Sequence, residues 1–196
     1  MKHRELLIGT SLFLFVIVYS QNLHSQVSTK NIDNQFQNAI VIRPIDLFLS
    51  FYVVQYERMV GLKNEFIVGL YDINNNSNLE YPGDYQLILP ILGYRRYLWK
   101  GLHLEYSLLP GYAKYNDTIR KEISKSFEIW NEFHLGYRFQ FEVFKVHLFL
   151  SPQILLGFNL FKGNQPESFK IIDDKKSNFY PNKIYIYPNI NFGISF

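Results

Sequence analysis

Side chains that could act as acids, bases or metal ligands recur at every second position of several otherwise apolar segments. They are Arg43, Glu57, Glu65, Arg95, His103, Glu105, Glu128, Glu132, His134, Arg138 and His147. Carboxylates and imidazoles can transfer protons or bind metal ions, and carboxylates can also pair with arginine. Which of these roles the residues take depends on the elements that position them.

A metal site is one chemical possibility. His103 and His147 both lie near the start of a predicted strand, and Glu142 is a third potential ligand. One further strand separates the two histidines, so they should be about 10 Å apart. The chain has no cysteine, which excludes thiolate metal sites. We therefore predict that these histidines are packed structural residues and that no cofactor is bound.

Nucleophilic catalysis requires a hydroxyl, a histidine and a carboxylate close together. Ser151 follows His147 by four residues, but Glu128 lies at the far end of its predicted strand. The sequence therefore predicts a protein that is not an enzyme. An outer-membrane enzyme that modifies lipid is the alternative.

The composition favours strands over helices. The chain has 18 Phe, 15 Tyr and 2 Trp, whereas Ala39 and Ala113 are its only alanines. Aromatic residues favour strands, and alanine is the best helix former. Apolar residues also alternate with polar or small ones, most clearly over 184–196, and this period of two indicates strands with one apolar face. Eight strands are predicted, at 36–45, 51–60, 64–74, 85–98, 101–115, 126–141, 144–161 and 182–196.

The first 25 residues are typical of a secretory signal peptide. Lys2 and Arg4 precede an apolar run that is too short to cross a bilayer as a helix. Cleavage after Ser20 or after Ser25 fits the sequence, and an uncleaved membrane anchor is the alternative. The formal net charge of +3 is too small and too dispersed for nucleic-acid binding.

The predicted connections alternate between short turns and the longer loops 74–84, 116–125 and 162–181. Short turns on one side and long loops on the other are typical of outer-membrane barrels, whose long loops are extracellular. The longest loop, 162–181, contains Phe169, Ile171, Ile172 and Phe179. These four residues are candidates for a surface-interaction site, and a solvated loop is the alternative.

The C-terminal segment carries a family resemblance. Asn191, Phe192, Gly193, Ile194, Ser195 and Phe196 end the chain with a closing phenylalanine and alternating apolar residues. This ending resembles the assembly signal of the small eight-stranded outer-membrane barrels of Gram-negative bacteria, the OmpA-domain and OmpX class. Segments 56–58 and 93–97 resemble, more weakly, motifs of uncharacterised outer-membrane families.

The predicted fold is therefore all-β, an eight-stranded antiparallel up-and-down transmembrane barrel over residues 36–196. Residues 26–35 are expected to form a periplasmic tail. An eight-stranded barrel is only wide enough for side chains to fill. The alternating polar residues should thus plug the interior without an open pore, and Glu105 is predicted to pair with Arg138. Of Arg95 and Arg96, only one can point inward.

These features predict a structural or surface-interaction role in the outer membrane. The expected partners are outer-membrane lipid and, through Phe196, the barrel assembly machinery. The sequence indicates neither an extracellular partner nor a specific ligand. A secreted soluble barrel of the lipocalin type, with the apolar face inward around a small apolar ligand, is the alternative.

Overall fold

The structure is a computed structural model that describes residues 37–48, 50–75, 83–175 and 184–196. The predicted signal peptide, the whole predicted tail and Phe179 lie outside these residues. The described part contains the strands β1 (Asn38–Ile42), β2 (Phe51–Met59), β3 (Asn64–Asn75), β4 (Gly83–Trp99), β5 (Leu102–Asp117), β6 (Glu122–Tyr137), β7 (Phe139–Val143), β8 (Val146–Lys162) and β9 (Tyr185–Ser195). It also contains the helices α1 (Pro44–Leu47) and α2 (Glu167–Lys175).

The strands form a closed antiparallel barrel. β6 and β7 are one wall strand interrupted at Arg138, since both pair with β8, so the barrel has eight strands. β1 and β9 close it, and the backbones of Asn38 and Phe196 exchange hydrogen bonds at 3.1 and 2.9 Å. The predicted all-β barrel is confirmed. Closure satisfies the edges that an open sheet would leave unpaired.

The two ends of the barrel differ. Asn38, Phe196 and the tight turns that follow β2, β4 and β7 lie at one end, called here the terminal end. The opposite end, called the loop end, carries α1, residues 118–121 and α2. The predicted long loop at 116–125 is wrong, because β5 and β6 extend until only a four-residue turn is left between them.

The first strand is shorter than its predicted range of 36–45. It ends at Ile42, and Pro44 begins α1. Proline has no backbone N–H for a strand ladder, but its fixed φ suits the first turn of a helix. The barrel wall is consequently short at this point.

Alternation determines the two faces of the wall. Outward side chains are mostly apolar and exposed, as the pattern of β8 shows. Inward side chains include the predicted polar residues, but also a buried apolar cluster next to the loop end. This cluster contains Val53, Ile67, Tyr71, Ile73, Leu87, Leu89, Ile91, Leu109, Ala113, Tyr115, Trp130 and Phe169. The predicted polar residues therefore share the interior with an apolar cluster that packs like an ordinary core.

Candidate functional site

The strand period places the polar residues inside the barrel. Of the eleven residues predicted from sequence, ten are buried, and His147 is half-buried near the terminal end. Arg95 points inward, whereas Arg96 is exposed. A bulge follows in the β4–β5 ladder between Tyr97 and Trp99. The buried residues divide into two clusters and several separate positions.

The first cluster, called the Arg95 cluster, consists of Glu57, Glu65, Arg95, Tyr97, Glu105 and Arg138. Arg95 Nε donates to Glu105 Oε2 at 2.9 Å, and Nη1 donates to Glu65 Oε2 at 2.6 Å. Its Nη2 donates to Glu57 Oε1 at 2.8 Å. Glu65, Arg95 and Glu105 are paired residues on three neighbouring strands, so the strand register itself sets these contacts.

Arg138 completes this cluster from the break between β6 and β7. Its Nη1 donates to Glu65 Oε1 at 3.0 Å, and its Nη2 donates to Glu57. The guanidinium carbon lies 4.1 Å from the ring centroid of Phe149, a favourable cation–π contact. The predicted Glu105–Arg138 pair is wrong, because Arg138 reaches Glu57 and Glu65 while Glu105 binds Arg95.

Nearly every polar atom of the Arg95 cluster has a hydrogen-bond partner. Tyr97 adds a hydroxyl bond to Glu65 at 3.0 Å, and Ser107 adds one to Glu105 at 3.2 Å. Only Arg138 Nε is buried without one. Buried charges persist when they are paired and hydrogen-bonded. This arrangement can hold the barrel interior together, and it offers no free group for chemistry.

The second cluster, called the Arg43 cluster, contains Arg43, Asp46, Glu132, His134 and the tyrosines 71, 185 and 187. Arg43 Nη1 donates to Glu132 Oε2 at 3.3 Å and lies 4.0 Å from Asp46 Oδ2. His134 Nε2 is 3.2 Å from the same oxygen of Glu132. Tyr185 donates to the other oxygen at 3.2 Å.

The Arg43 cluster differs from the first in having several unpartnered atoms. Arg43 Nε and Nη2, both oxygens of Asp46 and Nδ1 of His134 are buried without a hydrogen-bond partner in the described structure. The side-chain amide of Gln55 is in the same state. Unpartnered buried groups in native proteins call for an explanation such as water, an ion or a ligand.

Glu128 lies apart from both clusters. It accepts hydrogen bonds from Tyr115 at 2.6 Å, Trp130 at 2.8 Å and Asn159 at 3.4 Å. His103 is buried near the terminal end, where its Nδ1 lies 2.9 Å from Gly101 O and its ring packs edge-on against Tyr97. Within the described ranges, no three histidine, cysteine or acidic side chains form a group that could hold a metal ion.

A serine, a carboxylate and a histidine do meet inside the barrel, but in an unsuitable order. Ser107 donates to Glu105 Oε1, and His134 Nε2 lies 3.7 Å from that same oxygen. In a catalytic triad, the histidine stands between the hydroxyl and the carboxylate. Here the carboxylate is in the middle, so it cannot orient the histidine toward the hydroxyl.

The predicted surface-interaction loop has a different structure. Phe169 is fully buried and meets Tyr115 edge-on, with ring centroids 5.0 Å apart. Ser168 donates to Asp117, which anchors α2 over the loop end. The predicted surface role of Phe169 is therefore wrong, whereas Ile171 is exposed. Ile172 belongs to α2, but its side chain lies outside the described residues.

Several cluster members were not predicted from the sequence as site residues. Tyr71, Tyr97 and Ser107 share the strand parity of the predicted residues, and that parity could have identified them. Asp46 had no such signal, since it lies in α1.

Of the described helices, neither is long and apolar enough to cross a membrane. The chain matches no protein-family model, no curated protein and no solved structure.

Proposed function

We propose that this protein is a non-catalytic outer-membrane barrel of Gram-negative bacteria, with a structural or surface-interaction role in the cell envelope. One observation carries the proposal. The exterior of the barrel is an apolar band, whereas the interior holds the ion pairs. A soluble barrel that binds an apolar ligand would have the opposite arrangement.

The exterior band has a polar border at the loop end. One row of ladder-paired residues crosses four neighbouring strands here, and it consists of Asn74, Gln86, Lys114 and Lys125. The next outward row toward the middle of the barrel contains Asp72, Ile88, Tyr112 and Phe127. Asp72 is the one acidic residue in this row, and it accepts hydrogen bonds from Asn74 and Gln86 of the border. Aromatic residues followed by lysines are expected where a barrel leaves the hydrocarbon of a bilayer.

A second border lies toward the terminal end. Asn38 is paired with Arg58, and Asn64 with Arg96. Tyr56 donates to Asn38 at 2.6 Å, and Tyr94 donates to Asn64 at 2.7 Å. On β4 the borders are Gln86 and Arg96, which at a tilt near 45° lie about 25 Å apart along the barrel axis. This height fits the hydrocarbon thickness of an outer membrane.

In this proposal, residues 1–25 direct export and Phe196 presents the chain to the barrel assembly machinery. Phe196 is exposed at the terminal end, where its side chain is accessible to a partner. The plugged interior leaves no open pore. Outer-membrane lipid is then the partner of the apolar exterior.

A charge placed in the band tests the proposal. Ile154 is an exposed outward residue of β8, and Ile154→Arg should destabilise the bilayer-embedded barrel by about 2–4 kcal/mol. The control Gln86→Arg lies on the polar border and should change stability much less. Unfolding is measured in lipid vesicles, with folded protein identified by its heat-modifiable gel migration. Recovery of folded native protein from the soluble periplasmic fraction would contradict the proposal.

A further inference from the structure

The barrel wall has a gap next to β1. β1 pairs with β9 only through residues 39–42, opposite 192–195. It pairs with β2 only through 38–42, opposite 54–58. Among the described residues, no strand therefore pairs with 185–191 of β9 or with 51–53 of β2 on the side facing the gap. Two strand edges thus face each other with no strand between them.

The one-turn helix α1 fills this gap. It lies against both β9 and β2. Backbone hydrogen bonds at its ends run from Asp46 N to Arg43 O, from Phe48 N to Ile45 O and from Ser50 N to Leu47 O, each at 3.2 Å. The residue before the helix, Arg43, provides no side-chain cap. A single turn without such a cap has little intrinsic stability, so the position of α1 depends on its contacts with β2 and β9.

The outer side of the gap is apolar. Leu47, Tyr52, Val54 and Ile186 are all exposed around it. If the barrel lies in a membrane, as proposed above, the gap opens toward lipid and not toward water. A molecule that enters by this route must have an apolar part.

The inner side of the gap is polar and incompletely hydrogen-bonded. Arg43 has two free donors, at Nε and Nη2, and Asp46 has two free acceptor oxygens. Gln55 adds a free donor and a free acceptor. The Arg95 cluster shows that this interior can satisfy its charges with protein groups alone. Unpartnered donors and acceptors behind the gap therefore indicate a missing binding partner.

The free atoms define the chemistry of that partner. Donors and acceptors are both vacant, so a hydroxyl group, which can donate and accept, fits better than a group with a single role. One guanidinium faces the carboxylates of Asp46 and Glu132, which disfavours a further anion. The side chains of Tyr71 and Tyr187 complete the surroundings. Their hydroxyls are 3.5 Å apart, and the ring face of Tyr71 lies beside the guanidinium of Arg43.

We propose that the Arg43 cluster binds the uncharged, hydroxyl-bearing head group of an amphiphile, which enters laterally from the bilayer past α1. Its apolar chain then remains outside, along Leu47 and Ile186. This proposal rests on the membrane location proposed above.

Lipid retention tests the proposal. The barrel is reconstituted in nanodiscs of phosphatidylcholine and a monoglucosyl diacylglycerol with the same acyl chains, and retained lipid is counted by native mass spectrometry. The native protein should retain one glucosyl lipid in preference to phosphatidylcholine. Asp46→Leu should reduce this retention about tenfold, because it removes the free acceptors. Tyr97→Phe, which removes one hydrogen bond from the Arg95 cluster, should leave retention unchanged.

Heat-modifiable migration of each sample separates the possible failures. If Asp46→Leu does not fold, Gln55→Leu provides the same test from β2. A folded, membrane-embedded barrel that retains both lipids equally would mean that the cluster holds only water, and would overturn this inference but not the membrane proposal. A native chain that folds without lipid and does not enter nanodiscs would overturn the membrane proposal, and this inference with it.

Discussion

Arg95 and Arg96 are adjacent and chemically identical, yet one is fully buried among three carboxylates and the other is exposed. Strand parity predicts that only one of them can face inward. Parity did not predict which carboxylate each arginine would bind. Arg138 reaches Glu57 and Glu65 from the break between β6 and β7, and no ladder neighbour relation specifies that contact. The inward residues were therefore predictable from sequence, while their partners were not.

The two arginines form a matched pair of test sites. Arg95→Met leaves Glu57, Glu65 and Glu105 short of a buried counter-ion and should cost about 3–5 kcal/mol. Arg96→Met removes an exposed charge and should cost less than about 1 kcal/mol. The measurement is the urea dependence of unfolding in lipid vesicles. Equal losses in the two variants would show that the Arg95 cluster contributes nothing specific.

At the scale of elements, strands were predictable and helices were not. Strand alternation extends over many residues, so five of the eight predicted strands lie within two residues of the observed ones at both ends. α1 and α2 have four and nine residues, and short helices depend on their contacts more than on propensity. Phe169 fixes α2 by inserting into the apolar cluster, a contact that sequence spacing cannot reveal.

Two residues of α2 differ in burial, so substituting each of them distinguishes the effect of burial from the effect of a change in the helix. Phe169 is 0% exposed and Ile171 is 49% exposed on the same helix. Phe169→Ala should destabilise the closed loop end by about 3 kcal/mol, because a buried aromatic side chain is lost. Ile171→Ala should change it by less than about 1 kcal/mol. Opening of the loop end is measured as protease cleavage between β8 and β9 on intact cells. Equal cleavage of both variants would contradict a closing role for Phe169.

On the scale of the whole molecule, the apolar residues are distributed between two surroundings. Most of them lie in the outward band, but the buried cluster of β2–β6 and α2 shows that the interior is also partly apolar. The barrel thus combines the Arg95 cluster near the terminal end with apolar packing near the loop end, where the Arg43 cluster also lies. Composition could not separate these contributions, because an apolar residue has the same propensity whether it faces lipid or core.

The C-terminal phenylalanine should matter for assembly more than for stability. The backbone of Phe196 closes the barrel with Asn38, while its side chain is 56% exposed. Phe196→Ala keeps the backbone bonds and removes an exposed ring, so refolding into detergent and final stability should change by less than about 1 kcal/mol. If Phe196 is the assembly signal, as proposed above, the same substitution should lower the amount of folded barrel in the outer membrane of cells several-fold.

Phe144 provides the control for this comparison. It lies in the turn between β7 and β8 at the same end of the barrel, and its side chain is 96% exposed. Phe144→Ala removes an equally large ring from that end and should leave cellular assembly unchanged. If both variants assemble poorly, general hydrophobicity of the terminal end is what the cell requires. If Phe196→Ala refolds poorly in detergent as well, the ring acts in closure of the barrel, and the assembly signal is not needed to explain its position.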